Sequence, residues 1–398
     1  MGALSINPQL IIQLFFWGTF IACVLLYLTY SGSNNCNKLL DKKSSVPALL
    51  MTIVWIILIG LRPVWYGFGD TVNYAHGYSN TLPVYSAIDL HSEWLFSLFT
   101  VWCRSMGFTV NVFFLLIEIG YLGFMYWAYK KALWENVWLA VLFAFSAFSV
   151  FSYGVNGLRN GLACSMVTLA IVYASKDRNF FVAGILCFFA LGIHKSILLP
   201  TMALVAATFF IKKLRTALLF WLVSFFLSLW AGGAISSIFL GLGFDDRADA
   251  YISGENYQYG LFSSEGFRWD FLLYSAMPVL LIWHIQRKIE QKHNDLGGIS
   301  QEEEESGVYG AGIMADAVSM RVFNTIAIVY LLANSFWIMV IRAAFSNRFA
   351  YLSWFIYPFV LAYGVIRLHI WEDQDRKAGM ILLAHAGFTI FMYIIGKV

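Results

Sequence analysis

The sequence predicts an all-α, polytopic membrane protein with about twelve transmembrane helices and a large outer loop that carries a juxtamembrane helix. Three observations predict it. Apolar runs recur along the whole 398-residue chain. The chain is 60% hydrophobic but only 12% charged, with a mean hydropathy of +0.69, about half the charge of an ordinary soluble domain. The basic residues cluster on alternate connections between the runs. The runs are continuous, whereas a porin-like barrel shows weak alternating segments.

The first run, 10–30, is long enough to span and has no basic stretch ahead of it, so it is expected to stay as the first helix and not to act as a cleaved leader. Further runs follow at 47–62, 109–129, 135–153, 157–175, 179–193, 196–211, 216–242, 269–286, 321–341, 349–367 and 379–396. Segment 91–107 is also apolar, but its short length and the charges Glu93 and Arg104 suit a helix in the interface. Counting it as a span would place Lys42 and Lys43 outside. The whole chain reads as one integral membrane domain, 1–398, with outer loops at 63–108 and 243–268. A cytoplasmic acidic linker at 288–320 contains Glu302 to Glu305.

Sidedness follows from Lys38/Lys42/Lys43, Lys130/Lys131, Lys176/Arg178, Lys212/Lys213/Arg215, Arg287/Lys288/Lys292, Arg321 and Arg367/Arg376/Lys377. All fall on one side, the cytoplasmic one by the positive-inside rule, and both termini then face out. On this arrangement 11 Lys and 6 Arg lie inside, against 7 Arg and 2 Lys outside. The outer arginines are Arg62, Arg104, Arg159, Arg247, Arg268, Arg342 and Arg348. A bias toward arginine against the topological rule suits bidentate recognition of phosphate or carboxylate. Interfacial snorkelling or local pairing with acids is the plainer reading.

Four constellations stand out on that side. Arg62 opens the first outer loop, followed by Asp70, Tyr74 and His76, with His91 and Glu93 at the interfacial helix. Asp70 and Glu93 are the candidate general bases, since a carboxylate beside apolar helices and an arginine is tuned in opposite directions. Asn156, Arg159 and Asn160, in GVNGLRNG, are spaced to share a helical face at a helix N-terminus, where the dipole favours an anion. His194, Lys195 and Ser196 lie between two helices, where the histidine positions a hydroxyl or shares a phosphate load, or is simply structural. Arg342, Asn347, Arg348 and Tyr351, in RAAFSNRFAYL, combine a guanidinium with a ring able to stack on a sugar; an interfacial aromatic belt is the alternative. The loop with Asp245, Asp246, Arg247, Asp249, Tyr251 and Tyr257 suits carbohydrate, and its spacing matches no metal motif closely. Glu118, inside the third span, is functional or hydrogen-bonds a neighbouring helix.

The five cysteines form no CxxC pair. A net charge of +3 spread over many loops gives no reason to expect nucleic acid as a partner. There is no Walker A, HExxH or GxSxG motif, which argues against a common ATPase, zincin or lipase.

The runs GLRPVWYGFGDTVNYAHGY, HSEWLFSL, NGLRNGLA, IHKSIL and SNRFAYL, over roughly residues 50–355, resemble the EpsG family of exopolysaccharide proteins, itself similar to Wzy-type O-antigen and capsule polymerases. The matched positions are Arg62, Asp70, Tyr74, Glu93, Arg159, His194–Lys195–Ser196 and Arg348. The resemblance implies a GT-C-like fold in the bacterial cytoplasmic membrane. It implies glycosyl transfer between polyprenyl-pyrophosphate-linked oligosaccharides on the outer face, with no cofactor, metal or nucleotide sugar. A chain-length regulator and a flippase are the partners it implies. On this reading Asp70, Glu93, Arg159 and His194 are catalytic, and Arg62, Tyr74, Asn156, Asn160, Lys195, Asn347, Arg348 and Tyr351 bind substrate. The competing expectations are a ligase or transferase using polyprenyl-phosphate sugars, and a flippase of the lipid-linked oligosaccharide.

Overall fold

The computed structural model describes residues 6–31, 39–89, 92–240, 267–295, 316–342 and 346–396. Within them the secondary structure is helical throughout, with no strand. Helix starts follow local chemistry. The side chain of Asn7 accepts from the Gln9 amide at 2.9 Å with Pro8 at the first helical position, so α1 (Pro8–Tyr30) begins there. Thr109 caps α5 (Val110–Ala132), Asn179 caps α9 (Phe180–Ile193) and Asp316 caps α13 (Ala317–Met339) in the same way.

Among the described residues, six helices are long and apolar enough to cross a membrane: α1, α5, α8 (Leu158–Ser175), α13, the stretch Arg348–Arg367 and α16 (Gln374–Ile394). A seventh span is added if α6 (Val137–Phe145) and α7 (Phe148–Val155), with the turn that precedes them, count as one. They are bent by 73°, so the expected continuous helix over 135–153 is broken. The amide of Ser146 still bonds the Leu142 carbonyl, but Ala147 turns to extended backbone and the chain restarts in a new direction. Shorter apolar helices are α2 (Val46–Gly60), α9, α10 (Lys195–Phe210) and, over its described side chains, α11 (Leu214–Leu240). The remaining helices are α3 (Thr71–Asn80), α4 (Trp94–Ser105), α12 (Trp269–Asp295), α14 (Ser346–Trp354) and α15 (Tyr357–Arg367). At 12 residues, α4 is about 18 Å long and too short to cross a bilayer core of about 30 Å.

The chain divides into two compact units. The first comprises Met1–His194 and Leu361–Val398. Here α8 is central, buried over 78% of its apolar window, and packs between α5 and α9, while α2 lies on α5 and α1 on α16. The lysine-bearing connections of this unit meet at one end. Lys43 pairs with Glu135 at 3.0 Å and Lys131 with Asp177 at 2.6 Å. Lys176 Nζ donates to the Lys131 carbonyl, and the Leu40 amide donates to Asp375. The ends of α2, α8 and α9 that carry Arg62, Arg159 and His194 are the opposite ends of those helices.

The second unit is Lys195–Val360. Its centre is α13, buried over 83% of its window and packed by α10, α11 and α14. A helix apolar on every side has this central position open to it and few others. Its buried Asn334 is satisfied internally: it accepts from Trp221 Nε1 at 2.8 Å and donates to Ser353 Oγ at 3.0 Å.

Candidate functional site

Four stretches far apart in the sequence converge in the first unit. Arg159 is the second residue of α8, Glu93 is the residue before α4, His194 ends α9, and Tyr74 lies one turn into α3. Glu93 is the hub. Its Oε2 accepts from Arg159 Nη1, and its Oε1 meets His194 Nδ1. Arg159 Nε reaches the Tyr74 hydroxyl at 3.4 Å, and the guanidinium lies 5.7 Å from the ring centres of both Tyr74 and Phe96. All four side chains are partly exposed, so the cluster is open to a ligand.

Local sequence explains this placement. Gly192 lets α9 approach α4: a β-carbon there would stand 2.8 Å from Trp94 and 3.0 Å from Leu95, the residues that follow Glu93. Thus Glu93 is delivered to His194 by a glycine contact two residues before the histidine. The use of Nδ1 by Glu93 fixes the imidazole and leaves Nε2 outside that contact. Arg159 spends Nη1 and Nε within the cluster, which leaves Nη2 for an oxygen anion.

Asp70 stands beside this cluster at the start of α3. Its amide donates to Asn156 Oδ1 at 2.8 Å, and its carboxylate accepts from Asn73 at 3.0 Å. The turn before it depends on Gly69, whose φ is +64°; a β-carbon there would sit 2.4 Å from Asn156 Oδ1. Asn156 does not share a helical face with Arg159 and Asn160 as its spacing suggests. It ends α7 with its amide still on the Ser152 carbonyl, and the break follows at Gly157, whose amide reaches the same carbonyl before α8 starts. Asn156 therefore holds the Gly69–Asp70 turn, while Asn160 accepts from the Cys164 thiol inside α8.

Arg62 is fully buried, which its place in a loop-opening motif did not foretell. Its Nη1 donates to the Ile59 carbonyl at 2.7 Å, and its Nε and Nη2 donate to Thr71 Oγ1 at 3.2 and 3.1 Å. The guanidinium also lies 4.6 Å from the Phe114 ring centre. Thr71 passes the link on by donating to the Val155 carbonyl. Arg62 presents no face to a ligand and works instead as a tie between α2, α3 and the end of α7. Thr71 and Asn111, whose side chain donates to the Arg62 carbonyl at 3.1 Å, are parts of this tie that the sequence reading missed. Being ordinary polar residues near helix starts, they gave no signal.

The other outer arginines have diverse roles. Arg104 donates to the carbonyls of Thr81 and Ser79 and lies over the Tyr78 ring, closing the end of α3. Arg268 binds Asp270 through two bonds, at 3.0 and 2.7 Å. Arg342 is exposed, 5.2 Å from the Phe267 ring centre. Arg247, with Asp245, Asp246, Asp249, Tyr251, Tyr257 and His91, lies outside the described residues.

The boundary between the two units falls between His194 and Lys195. Lys195 opens α10, while Asn347, Arg348 and Tyr351 lie on α14 of the second unit, with the Tyr351 ring against Trp354 at 5.3 Å. Among the described residues, no group of three or more His, Cys, Asp or Glu side chains is placed to hold a metal ion.

The family model described as the EpsG family matches residues 47–397. No curated protein and no solved structure matches the chain.

Proposed function

This chain belongs to the EpsG family, the family of Wzy-type and exopolysaccharide polymerase-like proteins, and on that premise we propose that it is a repeat-unit polymerase. It joins polyprenyl-pyrophosphate-linked oligosaccharides on the outer face of the bacterial cytoplasmic membrane, in the assembly of an O-antigen, capsule or exopolysaccharide. The observation that carries the reading is the Glu93 carboxylate bridging His194 and Arg159 beside Tyr74.

In this mechanism the acceptor sugar hydroxyl loses its proton to Nε2 of His194. Glu93 holds the ring through Nδ1 and stabilises the imidazolium as it forms. The acceptor oxygen forms a bond to the anomeric carbon of the growing chain. The bond from that carbon to the pyrophosphate oxygen breaks, and its electron pair leaves with the polyprenyl pyrophosphate. Arg159, by its free Nη2 and by the N-terminus of α8, stabilises the charge on that leaving group. Tyr74 orients Arg159, and Asp70 faces the acceptor from the start of α3. Lys195, Asn347, Arg348 and Tyr351 are assigned as substrate contacts of the second unit. About twelve spans in a GT-C-like arrangement complete the reading, with the shorter apolar helices and α12 added to the six spans and the bent pair. A flippase and a chain-length regulator supply substrate and set product length.

The test is purified protein with lipid-linked repeat units in detergent. Elongated glycan, with one polyprenyl pyrophosphate released per bond formed, is expected. Flipping of the lipid-linked unit in liposomes without any elongation would sink the proposal.

A further inference from the structure

Glu118 lies in the middle of α5 and is fully buried, and neither of its carboxylate oxygens has a hydrogen-bond partner. Such a group is expensive unless another charge compensates it. The charge that acts on it is Arg62, which is equally buried and equally in need of an anion. The backbone is shaped for their approach. A β-carbon on Gly154 would stand 3.2 Å from Glu118 Oε2, and one on Gly60 would stand 2.9 Å from the Leu115 backbone and 3.4 Å from the Glu118 β-carbon. These two glycines let α2 and α7 close on α5 at the level of the carboxylate. Gly154 is also the neighbour of Val155, whose carbonyl receives the Thr71 hydroxyl, and Thr71 is the residue that Arg62 grips.

We infer that Glu118 is a positioning residue for the candidate site: paired electrostatically with Arg62, it anchors α3 on the turn between α7 and α8, so that Asp70 and Tyr74 keep their register with Arg159. The link runs from Glu118 to Arg62 through charge alone, and from Arg62 by hydrogen bonds to Thr71 at the first position of α3 and on to Val155 at the last position of α7. Asp70 is the residue before Thr71, and Tyr74 is one turn beyond it. Arg159 follows Val155 by four residues across the break. A loosened Arg62 therefore shifts the two sides of the site against each other, and a misplacement of about 1 Å is enough to cost on the order of 100-fold in rate. For its effect on turnover, the inference rests on the polymerase reading. For its effect on structure, it does not.

Two measurements on the full-length protein in nanodiscs test it: hydrogen–deuterium exchange over residues 71–80, and steady-state elongation of lipid-linked repeat units. In Glu118→Gln, exchange of the α3 amides is expected to quicken by about tenfold or more. Turnover is expected to fall about 10- to 100-fold while KM stays within about twofold, because groups are displaced and no ligand contact is removed. Glu118→Asp is expected to recover part of the loss. Unchanged α3 exchange in Glu118→Gln overturns the inference, and so does faster exchange with unaltered turnover. If Glu118→Gln does not accumulate, the double variant R62Q/E118Q decides. It is expected to accumulate better than the single variant, since neither charge is left uncompensated; equal depletion of the two overturns the pairing. Exchange needs no substrate. A wild-type protein that never elongates glycan, yet loses α3 protection in Glu118→Gln, would refute the polymerase reading and leave the anchor standing.

Discussion

At the scale of single residues, Arg159 and Glu93 carry the sharpest predictions. Arg159→Lys keeps the charge but loses the planar fork, so it cannot hold Glu93, Tyr74 and a phosphate oxygen together. Elongation is expected to fall on the order of 100- to 1,000-fold at normal protein level, the scale of losing one charge-stabilising donor. Full activity in that variant would remove Arg159 from the mechanism. Glu93→Gln and His194→Asn are each expected to cost on the order of 100-fold or more, and the double variant little beyond the worse single one, because they act as a unit. Losses that multiply across the pair would mean that the two act independently. Asp70→Asn is expected to cost only about tenfold, since Asp70 is tied to Asn156 and Asn73 and does not bridge the histidine. Sequence alone left Asp70 and Glu93 equal as candidate bases. In the structure they have different partners: Glu93 meets Arg159 and His194, and Asp70 meets Asn156 and Asn73.

At the scale of helices, the site depends on two close approaches. The first is α9 against α4. Gly192→Val would drive Trp94 and Leu95 away, since even a β-carbon there meets the indole at 2.8 Å. Glu93 moves with them, so elongation is expected to drop at least tenfold, with a shift in tryptophan emission as Trp94 leaves its seat against Phe188 and Phe189. Wild-type emission and rate in that variant would show that this contact does not place Glu93. The second approach is the Gly69 turn against Asn156, where positive φ and contact with the amide both demand glycine. Gly69 sits within the run GLRPVWYGFGDTVNYAHGY and Gly192 directly before IHKSIL, yet their partners lie 86 or more positions away. No local pattern identifies such a partner.

At the scale of the whole chain, the sorting of lysines from arginines makes a topological prediction. In the first unit the lysine connections meet at one end of the helices, and Arg62, Arg159 and His194 stand at the other. Cysteines introduced at the exposed Tyr66 and Lys42 are expected to label from opposite sides of the membrane with an impermeant thiol reagent, Tyr66→Cys in intact cells and Lys42→Cys only after permeabilisation. The four described native cysteines are buried and give little background. Labelling of both positions from the same side would end the two-sided assignment and the outer placement of the site.

The sequence by itself determined the class of the protein. Apolar runs set the helices, because a chain buried in lipid must satisfy its backbone internally, and that requirement is local. Short motifs of ordered polar residues marked the region of the candidate site and the family for the same reason: each is contained in one stretch of chain. What the tertiary structure decided is which marked residues meet. It made Arg62 an internal tie and Asn156 a brace for the Asp70 turn, and it joined Glu93 to both Arg159 and His194. It also revealed that Glu118 has no hydrogen-bond partner to match its burial, where the sequence left open a functional role or a bond to a neighbouring helix. These outcomes depend on where helices cross and where a glycine lets them close. A spacing along the chain records neither, because burial and partner are properties of the packed bundle.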